Sequence, residues 1–455
     1  MGDPWAPDEN NKVPVSGYRI EQLRGILGGI SQKELGERCG ISQREITRWE
    51  NGGKASVALY ERLLSFFRIA DNRQLDSRFE NDFRPLVHQV HGGRIAAKNL
   101  PLAIPFSQWD PTWMPPAALL RADLGVVRFH MRDQELDELL KWCNRDEPIL
   151  TELCHGAGGM GKTRLAIELC SRIDKQSGWS AGFLDYQQFQ ADRDQWRTAF
   201  EAGESLLVIL DYAEHRSDII HWLFEMAVEV PGARVRFLLL ARKPGEWLDR
   251  LTSRPTARDV LSGPGFRKRM LEPIAVLPHQ RLESWQIANE DLANALNVAP
   301  AASPTDALDQ DCFQRILLLQ MSALAALENE SVSGENGILD YVLRREQSFW
   351  SSQLRKNGLP ESFTTGVGQA LAAITLNMGA TDESDGLKVL ETLPFFEGQP
   401  HQVLHTINRI LADSYPGGHW IEPVQPDLLG ERLCEISLYD DELRDTLFGI
   451  FLEGN

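Results

Sequence analysis

Cysteine is scarce in this chain of 455 residues. The six stand far apart, at 39, 143, 154, 170, 312 and 434, with no C-x-x-C pair. That spacing excludes a disulfide framework and a zinc ribbon, and a reducing, cytoplasmic compartment is expected. No apolar run approaches the ~18 residues that mark a membrane span. Met1-Gly2-Asp3-Pro4-Trp5 lacks the basic-then-apolar pattern of an export signal, so no membrane partner is expected. His88-x-x-His91 has no carboxylate or thiol at ligand spacing and reads as surface loop. After Asp440 one short amphipathic helix, Leu443 to Leu452, is expected, with no array of sensor repeats.

What is present is ordinary globular composition, 42% apolar and 25% charged, enough for several domains. The net charge of −18 is uneven: residues 1–100 carry 15 basic and 13 acidic side chains, the remainder 32 and 52. An acidic body is a poor general polyanion binder, so contact with nucleic acid is expected only at the front.

The most informative stretch, Gly156-Ala157-Gly158-Gly159-Met160-Gly161-Lys162-Thr163, fits G-x-x-x-x-G-K-[ST]. Gly156, Gly158, Gly159 and Gly161 permit a backbone bent so tightly that successive N–H groups face a phosphate. Lys162 would reach the β- and γ-phosphates, Thr163 would give its hydroxyl to Mg²⁺, and Arg164 continues the phosphate-facing helix start. Pro148 to Cys154 reads as a strand, and Arg164 to Cys170 has helical apolar spacing, the order such a loop requires. Leu206 to Asp211 is an apolar run closed by a carboxylate, as for a buried parallel strand whose last residue emerges at the sheet edge. Asp211 there can hold Mg²⁺ beside Thr163, and Glu214 is near enough to orient an attacking water as general base. The alternative for Glu214 is a solvated loop acid. A further strand, Val235 to Ala241, ends at Arg242, whose guanidinium at that edge would pair only with a third phosphoryl group; its alternative is an ion pair with Glu246.

Toward the front, Ser31 and Ser42 are each good helix caps, Gly40 lies at a turn, and Leu35, Ile41, Ile46 and Trp49 supply one apolar face. Gln43, Arg44, Thr47 and Arg48 point away from it, which is helix-turn-helix grammar. Prolines at 101, 105, 111, 115 and 116 suggest an extended linker afterwards.

Two resemblances follow from these residues. The run from Ser31 to Gly52 resembles the XRE-type helix-turn-helix of phage repressors. That implies a helix from Ser42 in the major groove, with Gln43, Arg44 and Arg48 at base edges, Thr47 on the same face, and Gln32, Asn51 and Lys54 on phosphates. The alternative is a protein-binding module with a solvated polar face. Gly-Lys-Thr-Arg-Leu-Ala, Leu-Asp-Tyr-Ala-Glu-His-Arg and Leu-Leu-Leu-Ala-Arg resemble bacterial STAND ATPases, the class that holds NACHT and NB-ARC proteins. This implies a sensor strand, Val235 to Ala241, lying between the other two, with Arg242 on the γ-phosphate. It also implies adenine against Val126 and Val127, and Arg132 from the h-h-G-R-E-x-E segment near the nucleotide. A helical domain and a winged-helix lid would follow, the latter with 420–424 as a wing strand. The lid's M-H-D motif corresponds to Gln425-Pro426-Asp427, with proline in place of the ADP-binding histidine.

The expected organisation is a multidomain chain: arm 1–16; all-α helix-turn-helix 17–70; linker 71–118; α/β P-loop NTPase with a parallel sheet 119–275; helical domain 276–355; winged-helix-like domain 356–455. Its expected function is an ATP/ADP- and Mg²⁺-dependent switch with slow hydrolysis, self-associating on ATP, binding DNA through its front domain, and acting in transcription control or anti-phage defence. Sensing falls to a separate protein or to the helix-turn-helix itself. Two alternatives stand beside it: a DNA-binding regulator whose nucleotide is structural, and an adaptor whose front helices bind protein.

Overall fold

The computed structural model describes residues 113–453, apart from 177, 187, 190, 202–204 and 305–306. It also describes 94–95, 100–105, 109–111 and short pieces of the front, 12–13, 31–33, 35, 41–50 and 55–56. Contacts divide the chain into residues 1–92 and 93–455.

In the first unit, β1 (Lys12–Val13) pairs antiparallel with β2 (Ala55–Ser56). Helix α1 (Gln43–Glu50) begins after Ser42, whose Oγ accepts from Glu45 N at 3.3 Å, the capping contact its sequence calls for. Leu35, Ile41, Ile46 and Trp49 are buried and Gln43, Arg44 and Arg48 exposed, so the apolar face is the one the spacing marks. Asn51, Lys54, His88 and His91 lie outside the described residues.

The second unit is built on a seven-stranded sheet among the described residues. Its strands are β3 (Arg94–Ile95), β4 (Leu102–Ile104), β5 (Ile149–His155), β6 (Trp179–Leu184), β7 (Ser205–Leu210), β8 (Val235–Ala241) and β9 (Phe266–Met270), in the order β3-β4-β6-β7-β8-β5-β9. From β6 to β9 all pairings are parallel, and β8 lies between β5 and β7. β3 and β4 add an antiparallel edge, so the proline-bearing stretch expected to be linker already contributes sheet.

Side-chain alternation makes two cores from one strand. Leu206, Val208 and Leu210 of β7 pack on one face with α4 (Arg193–Glu201), α5 (Ser217–Glu229), α6 (Glu246–Thr252) and α7 (Pro255–Ser262). Leu207 and Ile209 face α2 (Asp133–Cys143) and α3 (Lys162–Ile173). Two buried charges lock the frame. The Arg236 guanidinium in β8 donates to Cys143 O, Pro148 O and Arg145 O, which ties the end of α2 to the start of β5. The Glu152 carboxylate in β5 is held by Arg267 and Arg269 of β9.

The remaining helices share one core: α8 (Pro278–Leu296), α9 (Ile316–Leu327), α10 (Gly334–Lys356), α11 (Thr364–Leu376), α12 (Glu383–Thr392), α13 (His401–Ser414), α14 (Asp427–Ser437) and α15 (Asp441–Glu453). The wing strand expected at 420–424 shrinks to one antiparallel bridge, Ala380 with Ile421. Pro423 has no N–H to extend it, and Val424 N turns away to Thr375 Oγ1 at 3.1 Å.

Candidate nucleotide site

β5 delivers the glycine-rich loop at its carboxyl end, and α3 starts at Lys162. Gly159 and Gly161 have φ of 76° and 88°, the left-handed region where a side chain is strained. The loop therefore needs glycine at these two positions on backbone grounds alone. Lys162 Nζ donates to Gly156 O at 2.6 Å and Ala157 O at 3.0 Å, folded back on its own loop. Burial lowers its ammonium pKa, opposed by the charge of Asp211.

The carboxyl ends of β7 and β8 bring the acids and the guanidinium. Thr163 Oγ1 donates to Asp211 Oδ2 at 2.9 Å, and Tyr212 N donates to Oδ1 at 3.0 Å. Burial nevertheless pushes the Asp211 carboxyl up to about 6, with the negative Asp427 adding to it. Glu214 Oε1 accepts from Arg242 N at 3.1 Å, while its Oε2 is buried and has no partner among the described residues. The structure thus gathers Lys162, Thr163, Asp211, Glu214 and Arg242 at one sheet edge.

Arg242 pairs not with Glu246 but with two acids of α14, Glu431 and, at 3.5 Å, Asp427. Asp427 Oδ1 also accepts from the Tyr212 hydroxyl at 2.5 Å. The amino end of α14 reaches the loop itself: a Cβ on Gly158 would lie 2.9 Å from Leu428 Cδ2. From α9, Leu317 N donates to Gly159 O at 3.2 Å. Tyr212, Glu431, Leu317 and Leu428 are site residues that the motif did not reveal. The only signal was the four-residue step from Asp427 to Glu431, which puts both acids on one helix face.

Of the other expected nucleotide residues, Arg132 touches the loop from outside it. Val127 is buried in the helical core, and Arg128, next to it, pairs with Asp291 of α8 at 2.9 Å. Arg132 spends its guanidinium on Glu135, Met160 O and Glu272 O, clasping the loop from behind. Arg164 lies against Gly125, with Nη1 3.5 Å from Ala122 O and Nε buried with no partner among the described residues. In the first unit, the Thr47 hydroxyl is 2.7 Å from Gln32 Oε1, and Arg48 pairs with Glu45 at 2.5 Å.

The strand order and the loop define a P-loop type α/β domain, preceded by a helix-turn-helix domain: residues 20–70 match the helix-turn-helix family. No curated protein sequence matches the chain. Similar solved structures include the Aeropyrum pernix ORC2 protein in ADPNP–ADP complexes, 13% identical over 75% of this chain and 97% of that one, with a TM-score of 0.34. The Aeropyrum pernix ORC1 protein in complex with DNA is 13% identical over 70% and 95%, with a TM-score of 0.33. A Walker-type ATPase of Pyrococcus abyssi is 11% identical over 66% and 95%, at 0.31.

Proposed function

We propose that the chain is a nucleotide-dependent regulator of STAND type, binding ATP or ADP with Mg²⁺ at the glycine loop, hydrolysing ATP slowly, and acting on DNA through its front domain. The observation that carries this reading is the meeting of Lys162, Thr163, Asp211, Glu214 and Arg242 at the carboxyl ends of three adjacent parallel strands. Such a meeting suits a phosphate chain at a helix amino terminus. The donors fit the metal: a hydroxyl and a carboxylate 2.9 Å apart are hard oxygen ligands, as Mg²⁺ prefers. Magnesium would supply charge neutralisation on the phosphates.

The chain's own residues then do the following. Lys162 exchanges its two loop carbonyls for phosphate oxygens. Glu214 orients water with Oε2, which has no partner among the described residues. Arg242 leaves Asp427 and Glu431 for the third phosphoryl group, which frees α14; residues 356–455 then act as a lid, and its release supports self-association. With proline at 426, the lid answers the nucleotide through acids rather than a histidine. In the front domain, exposed Gln43, Arg44 and Arg48 suit base edges, with Thr47 on the same helix, while Gln32, Asn51 and Lys54 are residue types that suit phosphates.

Phosphate release by Glu214→Gln tests the switch. ATP binding is retained and release lost, whereas equal release by both proteins defeats it and leaves a structural nucleotide. Lys162→Ala removes the nucleotide response without unfolding. DNA affinity should fall about tenfold or more as salt rises severalfold. No DNA binding even in low salt would favour a protein-binding adaptor.

A further inference from the structure

Residues 116–121 lie between the edge strand β4 and helix α2 of the P-loop domain, yet Ala117, Leu119 and Leu120 are buried in the core shared by α8 to α15. One polar joint fixes them there. Glu346 of α10 is 0% exposed, and among the described residues it forms no ion pair. Its Oε1 accepts from Ala117 N at 2.6 Å and its Oε2 from the Tyr415 hydroxyl at 2.5 Å. Tyr415 in turn accepts from Trp350 Nε1 at 2.7 Å. A carboxylate buried without a cation is costly, so apolar packing alone would have served stability better. What the joint supplies is register: it sets one position of residues 116–121 against α10 and the end of α13.

The joint continues toward the nucleotide site. Tyr415 O accepts from Glu422 N at 2.8 Å, and Arg121 lies within electrostatic reach of Glu422. Three residues beyond Glu422, Gln425 Nε2 is 3.4 Å from the Tyr212 hydroxyl, and Asp427 follows with its bonds to Tyr212 and Arg242. The chain segment 422–427 thus joins the bonds of Asp427 at the P-loop edge to those that run from Glu422 through Tyr415 and Glu346 to Ala117.

We propose that residues 116–121, which follow edge strands β3 and β4, are the element to which the position of α14 is transmitted, with Glu346 and Tyr415 as its joint. This rests on the reading of α14 as a lid. When α14 leaves Arg242, the turn from Tyr415 to Glu422 slackens, Glu346 loses Tyr415, and Ala117 is released. Contiguity alone is not coupling, so the test measures the coupling.

Hydrogen exchange of the full-length protein, with nucleotide absent throughout, reads amides 117–121 in the unaltered chain, Asp427→Asn, Glu346→Gln and the double variant. Asp427→Asn speeds their exchange about tenfold although it touches none of them, Glu346→Gln does likewise, and the double variant is no faster than Glu346→Gln. Exchange at 117–121 unmoved by Asp427→Asn, or effects that multiply in the double variant, overturns the proposal. Should Glu346→Gln not fold, Tyr415→Phe, which removes one hydroxyl, completes the same cycle. Because no nucleotide enters, a chain that binds none would sink the function proposed above while leaving this result readable.

Discussion

Asp427→Asn with Glu431→Gln should tighten the apparent binding of a triphosphate. The Tyr212 hydroxyl bond to Asp427, 2.5 Å and part-buried, is charge-assisted. Asparagine keeps an acceptor but not the charge, a loss of about 1 kcal/mol. Arg242 is 44% exposed, so solvent screens its two ion pairs and each contributes only ~0.5 kcal/mol. Together these give about 2 kcal/mol, or roughly a 30-fold shift toward the released lid. Where the closed form dominates, apparent affinity rises by the same factor, because closure divides affinity by the competent fraction. A diphosphate gains less, since Arg242 is then free but has no third phosphoryl group to meet. Titration with a fluorescent, slowly hydrolysed ATP analogue and its diphosphate reads both, with Arg242→Ala as the control that erases their difference. Equal affinity in the parent and the double variant would refute the claim that these acids compete with the nucleotide for Arg242.

Glu346 makes stability depend on pH. Burial raises its carboxyl to about 7, against the bonds from Tyr415 and Ala117 and the nearby Arg345 charge, so the folded chain holds a proton that the unfolded chain releases near 4.5. Its contribution is complete below that lower value, is lost as pH climbs to about 7, and is flat above, a span of roughly 3 kcal/mol. Glu346→Gln should abolish that part of the slope in urea melts run at several pH values, and parallel slopes would count against it. Arg236→Lys should cost about 2–4 kcal/mol in the same melts, since one ammonium cannot serve the carbonyls of residues 143, 145 and 148 that the guanidinium fork reaches. Gly161→Ala should destabilise by about 1 kcal/mol and weaken nucleotide binding. Its φ is 88° and Ile316 Cγ2 is the one atom near the added methyl, so a neutral result would mean that the loop changes conformation on binding. Arg44→Ala should weaken DNA binding by about 1–3 kcal/mol and relax preference at one base position, checked by competition among altered sites.

Much of this was readable along the chain because it is local. The glycines of the loop, the all-apolar run from Leu206 to Leu210 and the serine cap at residue 42 each act on their own few residues, and the structure has loop, strand and helix where those signals lie. The first limit appeared at residues 94–104. Prolines nearby argue against a long helix but say nothing about edge strands, and Leu102–Ile104 pairs with β6, far away in sequence. The wing failed for a related reason, since a strand needs a neighbour, and beyond Ile421 none is offered.

Arg242 marks the boundary most clearly. Its place at the end of an apolar strand determines that it emerges at the sheet's carboxyl edge, and the chain alone says so. Which acid it meets there was decided by tertiary structure: Glu246, four residues on, lost to Asp427 and Glu431 from the far end of the chain. Glu346 is the same case in the core. Hydrophobic period and backbone geometry are short-range properties that a sequence carries within itself. The partners of a buried charge are fixed only when distant segments are packed together and solvent is shut out.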